Sequence, residues 1–285
     1  MNEIAAKLHA KGPIWFCERI LGSSLFDYQK DIINAVFKYP RVTVRSGHSI
    51  GKTVLAANVM LSFLYLHKDS IVISTAPTAR QVTKVTWKEL RRAYNRGNNL
   101  YIEELGGKLL PKSPELYLSD DWFAIGLSTD DPDRFQGFHA EDLLVVVDEA
   151  AGVDEEIFEA IEGVLTSINC HLLLIGNPTN TSGTFYDSFQ ENGWKTFNIS
   201  AFDTPNLTTF GITQSDFLET GWETKLTSKI PYPFLVTPQW CYDKFLRWGP
   251  DSAIYHSRVL GNFPPEGSTI LIPRTWIDAA IERKL

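Results

Sequence analysis

The sequence predicts an α/β fold with a mainly parallel central sheet flanked by helices and a small C-terminal subdomain, on three observations. Apolar runs without alternation (SIVIST, LLVVV, LLLI) are separated by helical patterns, as in strands buried on both faces. Four polar segments, SGHSIGKT, TAPT, DEA and GNPT, follow such strands, and the carboxyl ends of a parallel sheet are where its ligands bind. Beyond residue 184 the pattern gives way to polar turns, short helices and a GNFPPEG loop.

In chain order, helices are predicted over 3–9 and 15–21, separated by the Gly12-Pro13 turn. A third follows, with Phe26, Tyr28, Ile32, Ile33, Val36 and Phe37 at helical spacing, and Pro40 stops it. A strand over 41–45 leads into SGHSIGKT. Residues 54–67, apolar on nearly every side, form a helix packed on the sheet. A strand over 70–75 precedes a long helix to about residue 94, then short strands over 116–118 and 123–127. A strand over 143–147 ends in Asp-Glu, a helix covers 155–166, and a strand over 171–175 ends in Gly-Asn-Pro. One more strand covers 195–200, and helices surround 238–248. Length favours more than one compact body: residues 1–200 as the core with its N-terminal helical segment, and 201–285 as the smaller subdomain.

The net charge of −7 argues against a domain wrapped in nucleic acid, so any such contact must come from a local basic strip. Cys17, Cys170 and Cys241 have neither metal-ligand spacing nor a disulfide framework. No apolar run approaches the ~20 residues that cross a bilayer. The N-terminus mixes acids and bases with no cleavage-like tail, so a soluble intracellular chain without a signal peptide is expected.

Ser46, Gly47, His48, Ser49, Ile50, Gly51, Lys52 and Thr53 match the phosphate-loop pattern GxxxxGK[ST], with Ser46 replacing the first glycine. Gly47 and Gly51 let the backbone turn its amides toward phosphates. Lys52 reaches the β/γ-phosphates and the Thr53 hydroxyl binds Mg²⁺, while the following helix adds its positive end. A strand-to-helix turn with a chance lysine is the bland alternative; the strand before and the helix after favour nucleotide binding.

Asp148 and Glu149 end an apolar strand, where adjacent buried carboxylates are costly without a cation. Asp148 is assigned to Mg²⁺ and Glu149 to accepting a proton from the attacking water. An acid after the metal-binding aspartate marks ATPases that carry their base on the chain itself, which narrows the fold class to a P-loop NTPase of the ASCE/RecA-like type. Asn177, at the next strand tip, would sense the γ-phosphate or the water; an Asn-Pro turn that merely closes the strand is the alternative.

VRSGHSIGKT, STAPTARQV, RFQGFHAEDLLVVVDEA, LLLIGNPTN, FDTPN and RVLGNFPPEG, in that order, resemble the ATPase domain of tailed-phage terminase large subunits, over about residues 28–273. The resemblance implies Mg²⁺-dependent ATP hydrolysis driving double-stranded viral DNA into a procapsid in the host cytoplasm. Its implied partners are the portal protein and the small terminase subunit, with a homo-oligomeric ring when assembled and a monomer in isolation. Tyr28 and Gln29 resemble the adenine-reading segment. Arg134 stands where related motors place an arginine finger; a surface arginine paired with Asp131 or Asp133 is the alternative. Many terminases carry an arginine inside the loop where this chain has His48, and its nearest arginine is Arg45, so either residue is a candidate γ-phosphate sensor. The RNase H-like nuclease of full-length members is not expected before Leu285.

Arg80, Lys84, Lys88, Arg92 and Arg96, with Arg91 alongside, recur every four residues as a basic stripe suited to DNA phosphates or an acidic neighbouring subunit. The alternative is a solvated face opposite Val82, Val85 and Leu90. A helicase-like or remodelling ATPase is the competing function, but 201–285 is too short for a second RecA-like core. A nucleotide-binding scaffold without turnover is the other alternative, and Glu149 argues against it.

Overall fold

The computed structural model describes residues 11–97, 106–129 and 131–265. The helix expected over 3–9 and the resemblance beyond residue 265 lie outside them. The described residues form two compact units. The first contains the chain to Val44, Gly51–Gly176 and Ser182–Phe197; the second contains Arg45–Ile50, Asn177–Thr181 and the chain from Asn198.

The sheet has eight strands: β1 (Arg41–Ser46), β2 (Ile71–Thr75), β3 (Lys108–Leu109), β4 (Glu115–Ser119), β5 (Trp122–Gly126), β6 (Asp142–Asp148), β7 (Asn169–Gly176) and β8 (Lys195–Ile199). Their order is β3-β4-β5-β2-β6-β7-β1-β8. β5, β2, β6 and β7 run parallel, while β3–β4 and β4–β5 are antiparallel. The apolar runs of β2 and β6 are buried almost throughout, which is why neither strand alternates in sequence.

Helix α1 (Asp27–Lys38) ends because Tyr39 precedes Pro40 and is held extended, at φ −118° and ψ 138°. Helix α2 (Lys52–Leu66) is buried on nearly every side, as its unbroken apolar composition requires. At the N-terminus a short helix, Pro13–Trp15, runs into a π turn, Phe16–Ile20.

The long helix expected after TAPT runs over 79–97 with a π turn inside it. Ala79–Gln81 leads into a π turn, Val82–Thr86, before α3 (Trp87–Gly97). The wider turn shifts the phase of the helix. Val82 and Leu90 are buried as the spacing predicts, but Val85, expected on the same buried face, is 44% exposed while Thr86 and Trp87 turn inward. Helix α4 (Glu155–Val164) also belongs to the first unit.

The second unit has its own core. Phe217 packs against Trp222, Tyr242 and Phe245, with ring centroids 5.3, 5.4 and 5.8 Å away. Helix α5 (Pro238–Trp248) supplies Cys241 and Phe245 to this core and is capped by the Thr237 hydroxyl, which accepts the Trp240 amide.

Candidate nucleotide site

Within the first unit, Gly51 caps α2 in the left-handed region at φ 88°, a conformation that favours glycine. Lys52 opens the helix and is nearly buried. Its Nζ lies 3.8 Å from Glu149 Oε1. Glu149 follows the end of β6 with φ 52°, an uncommon conformation for a residue with a side chain. Such conformations gather at functional sites, where surrounding structure sustains their cost. Its carboxylate is 38% exposed, so water reaches it.

Asp148 is buried beside it. Its Oδ1 accepts the Glu149 amide at 3.0 Å and its Oδ2 accepts the Thr86 hydroxyl at 2.9 Å. Burial first, and then the Glu149 charge, push its carboxyl above the ordinary carboxylate range; the Thr86 hydroxyl, the Lys52 ammonium and the Glu149 amide oppose that shift.

Gln29, also buried, donates from Nε2 to the Gly51 carbonyl at 3.2 Å, while its Oε1 accepts the Phe26 amide at 3.0 Å. Its amide thus starts α1 and braces the Ser46–Thr53 loop at Gly51. The Tyr28 ring lies 5.7 Å from that of Phe26.

The first half of the loop belongs to the second unit. Ser46 ends β1 without the positive φ that would demand glycine, which explains how serine replaces the first glycine of the pattern. The Gly47 amide donates to Ile199 O at 2.9 Å and the His48 amide to Arg258 O at 2.8 Å. Ser49 has φ 52°, and its carbonyl accepts the Val236 amide at 3.0 Å. Ile50 is buried. The His48 ring meets Trp240 edge-on, with centroids 6.5 Å apart. The Arg45 guanidinium lies over Phe263 at 5.2 Å. The Asn177 side chain donates to the Ser46 carbonyl, so the β7 tip braces the end of its neighbour β1.

Arg134 sits in a short 3-10 helix, Pro132–Phe135, with Nε 3.8 Å from Asp131 Oδ2 and both side chains about half exposed. The basic stripe divides. Arg80, Lys84 and Lys88 are exposed, whereas Arg92 pairs with Glu89. Arg91 donates to the Ser113 carbonyl, and Arg96 donates to the Leu21 carbonyl and the Ser23 hydroxyl.

A curated protein named "Probable terminase, large subunit", from Enterobacteria phage P7, is 25% identical over 282 residues, covering 98% of this chain and 51% of that protein. The chain therefore spans about half the length of this relative. The Thermus phage P74-26 large terminase ATPase domain aligns with a TM-score of 0.62 at 17% identity, over 86% of this chain and 96% of its own. The chain is thus similar in sequence to about half of a probable terminase large subunit, and in fold to a large terminase ATPase domain. The HK97 bacteriophage large terminase gives the same TM-score, 0.62, at 17% identity, over 96% of this chain and 58% of its own. A large terminase from a thermophilic bacteriophage, in complex with ATP-gamma-S, gives 0.52 at 11% identity, over 85% of this chain and 54% of its own. No family model matches.

In the sheet, β7 lies between β1, which precedes Gly47–Thr53, and β6, which ends in Asp148. Among the described residues no three His, Cys, Asp or Glu side chains gather as a metal site. A Mg²⁺ ion bound with a nucleotide needs only one or two carboxylates besides phosphate oxygens. The buried Asp148 carboxyl, costly to ionise alone, fits that need, and Thr53 follows Lys52 in the first turn of α2. Thr86 and Arg258, which meet Asp148 and the His48 amide, were not singled out in the sequence: Thr86 carries no motif, and Arg258 lies in RVLGNFPPEG, where the resemblance was the available signal. No helix among the described residues is long and apolar enough to cross a membrane.

Proposed function

We propose that the chain hydrolyses ATP and uses the reaction to drive double-stranded viral DNA into a procapsid. The observation that carries this reading is the approach of Lys52 Nζ to Glu149 Oε1, at the start of a helix and the tip of a buried strand. Amides around Gly51 and the helix start receive the phosphates, and Lys52 neutralises charge on the β/γ oxygens. Glu149 accepts a proton from the water that attacks the γ-phosphorus, and the bond to the ADP oxygen breaks to give ADP and inorganic phosphate. Asp148 and Thr53 would hold Mg²⁺, which when bound neutralises phosphate charge.

Asn177 reads the loop through the Ser46 carbonyl, and Tyr28 with Gln29 faces the adenine side. Arg45 and His48 are the candidate γ-phosphate sensors, and Arg134 acts as a finger toward a neighbouring subunit. Arg80, Lys84 and Lys88 remain the stripe's candidates for DNA phosphates. The portal protein, the small terminase subunit, a ring of copies and the host cytoplasm complete the proposal, supported by the names of the relatives above.

The test is phosphate release with Mg²⁺ across protein concentrations, with and without double-stranded DNA. A rate that rises with both supports the motor. Nucleotide binding without any turnover would leave only a scaffold.

A further inference from the structure

Thr86 is almost fully buried yet polar, and its hydroxyl reaches across 62 positions of sequence to Asp148 Oδ2. With the Glu149 amide on Oδ1, each carboxylate oxygen of Asp148 has a donor, so the plane of the group is set from two sides. We propose that Thr86 is a positioning residue, which aims the Asp148 carboxylate at the Mg²⁺ ion of a bound nucleotide. The inference rests on reading this site as one for Mg²⁺-nucleotide.

The backbone around Thr86 gives its hydroxyl little latitude. It ends the π turn Val82–Thr86, and π turns recur at functional sites although they interrupt a regular helix. The next residue, Trp87, is fully buried and donates from Nε1 to the Ser74 hydroxyl of β2 at 2.8 Å. Beside Ser74 on the neighbouring strand, Gly126 of β5 makes room for the turn: a Cβ there would stand 2.5 Å from Trp87 Nε1 and 2.7 Å from Val82 Cγ1. The extra residue of the π turn is what brings Thr86 inward while Val85 turns out to 44% exposure. A helix seated closely on this pair of strands delivers one hydroxyl to one carboxylate oxygen, as outer-shell donors to metal ligands do.

The experiment measures binding of a non-hydrolysable ATP analogue to the full chain across a Mg²⁺ titration and in EDTA. Removing an outer-shell partner costs about 10–100-fold in metal affinity. Thr86→Val is therefore expected to raise the half-saturating Mg²⁺ concentration at least about tenfold, with binding in EDTA unchanged and Thr86→Ser close to wild type. Should the valine variant not fold, Thr86→Ala, which adds no bulk, is titrated in its place. A Mg²⁺ curve identical to wild type overturns the inference, as does an equal loss of binding with and without Mg²⁺. A wild-type chain that binds no nucleotide at any Mg²⁺ concentration overturns the reading of the site itself, an outcome distinct from either.

Discussion

Lys52 Nζ stands 3.8 Å from Glu149 Oε1, joining the first residue of one helix to the tip of a strand nearly a hundred positions away. At that distance, with the glutamate more than a third exposed, the pair adds little stability. The proposed function gives the two groups separate tasks on a triphosphate.

Those tasks separate under substitution. Lys52→Ala is expected to abolish nucleotide binding in a calorimetric titration. Glu149→Gln is expected to keep binding and to lower turnover by ~10²–10⁴-fold, the usual contribution of a general base. Steady-state phosphate release by Glu149→Gln at the wild-type rate would remove Glu149 from that role.

Gly261 packs tightly against the first half of the Ser46–Thr53 loop. It has φ 65°, and a Cβ there would fall 2.7 Å from Ile199 O, 2.8 Å from Ser46 Cα and 2.9 Å from the Gly47 nitrogen. Left-handed backbone costs a residue with a Cβ about 1–2 kcal/mol before any clash. Gly261→Ala should therefore lower the unfolding midpoint by several degrees and raise KM for ATP, because the displaced atoms belong to the phosphate loop. An unaltered melting curve would show that the loop does not depend on this corner.

Local patterns were legible in the sequence; distant pairings were not. The strand-to-helix turn at Ser46–Thr53 and the strand end at Asp148–Glu149 are local in sequence, so their placement was legible there. Val85 was misplaced because periodicity assumes 3.6 residues per turn, and the π turn at Val82–Thr86 breaks that count. Thr86 was invisible for the same reason, its carboxylate partner being brought to it by the sheet. Arg91 and Arg96 looked like members of a basic face, but hydrogen bonds to backbone carbonyls cannot be read from charge spacing. Grouping of Arg45–Ile50 with the chain from Asn198 is likewise a tertiary fact.

His171 supplies a test by pH. It is buried on β7, and burial lowers its pKa below the ordinary value of 6.5, against the opposing effect of the Tyr39 carbonyl. Between the lowered value and 6.5 the unfolded chain takes up a proton that the folded chain refuses. Stability must therefore fall as pH drops through that window. Denaturant unfolding from about pH 7 to 5 should show this slope, and His171→Gln should flatten it. An equal slope in both proteins would assign the effect elsewhere.

Arg134 separates a surface ion pair from an arginine finger. Its pairing with Asp131 spans 3.8 Å between two half-exposed side chains, an arrangement worth at most about 1 kcal/mol. A nucleotide phosphate on a neighbouring subunit would compete with it readily. If Arg134 acts in trans, Arg134→Ala alone should lose ~10³-fold or more in turnover, the effect of removing a finger. Glu149→Gln alone should also be inactive. Mixed together, the two variants restore part of the rate, because sites with an intact Glu149 then receive Arg134 from their neighbours. The recovery should grow with protein concentration, since it depends on association. Two inactive variants that stay inactive when mixed, at concentrations where the wild-type rate depends on assembly, would return Arg134 to the role of a surface residue held by Asp131.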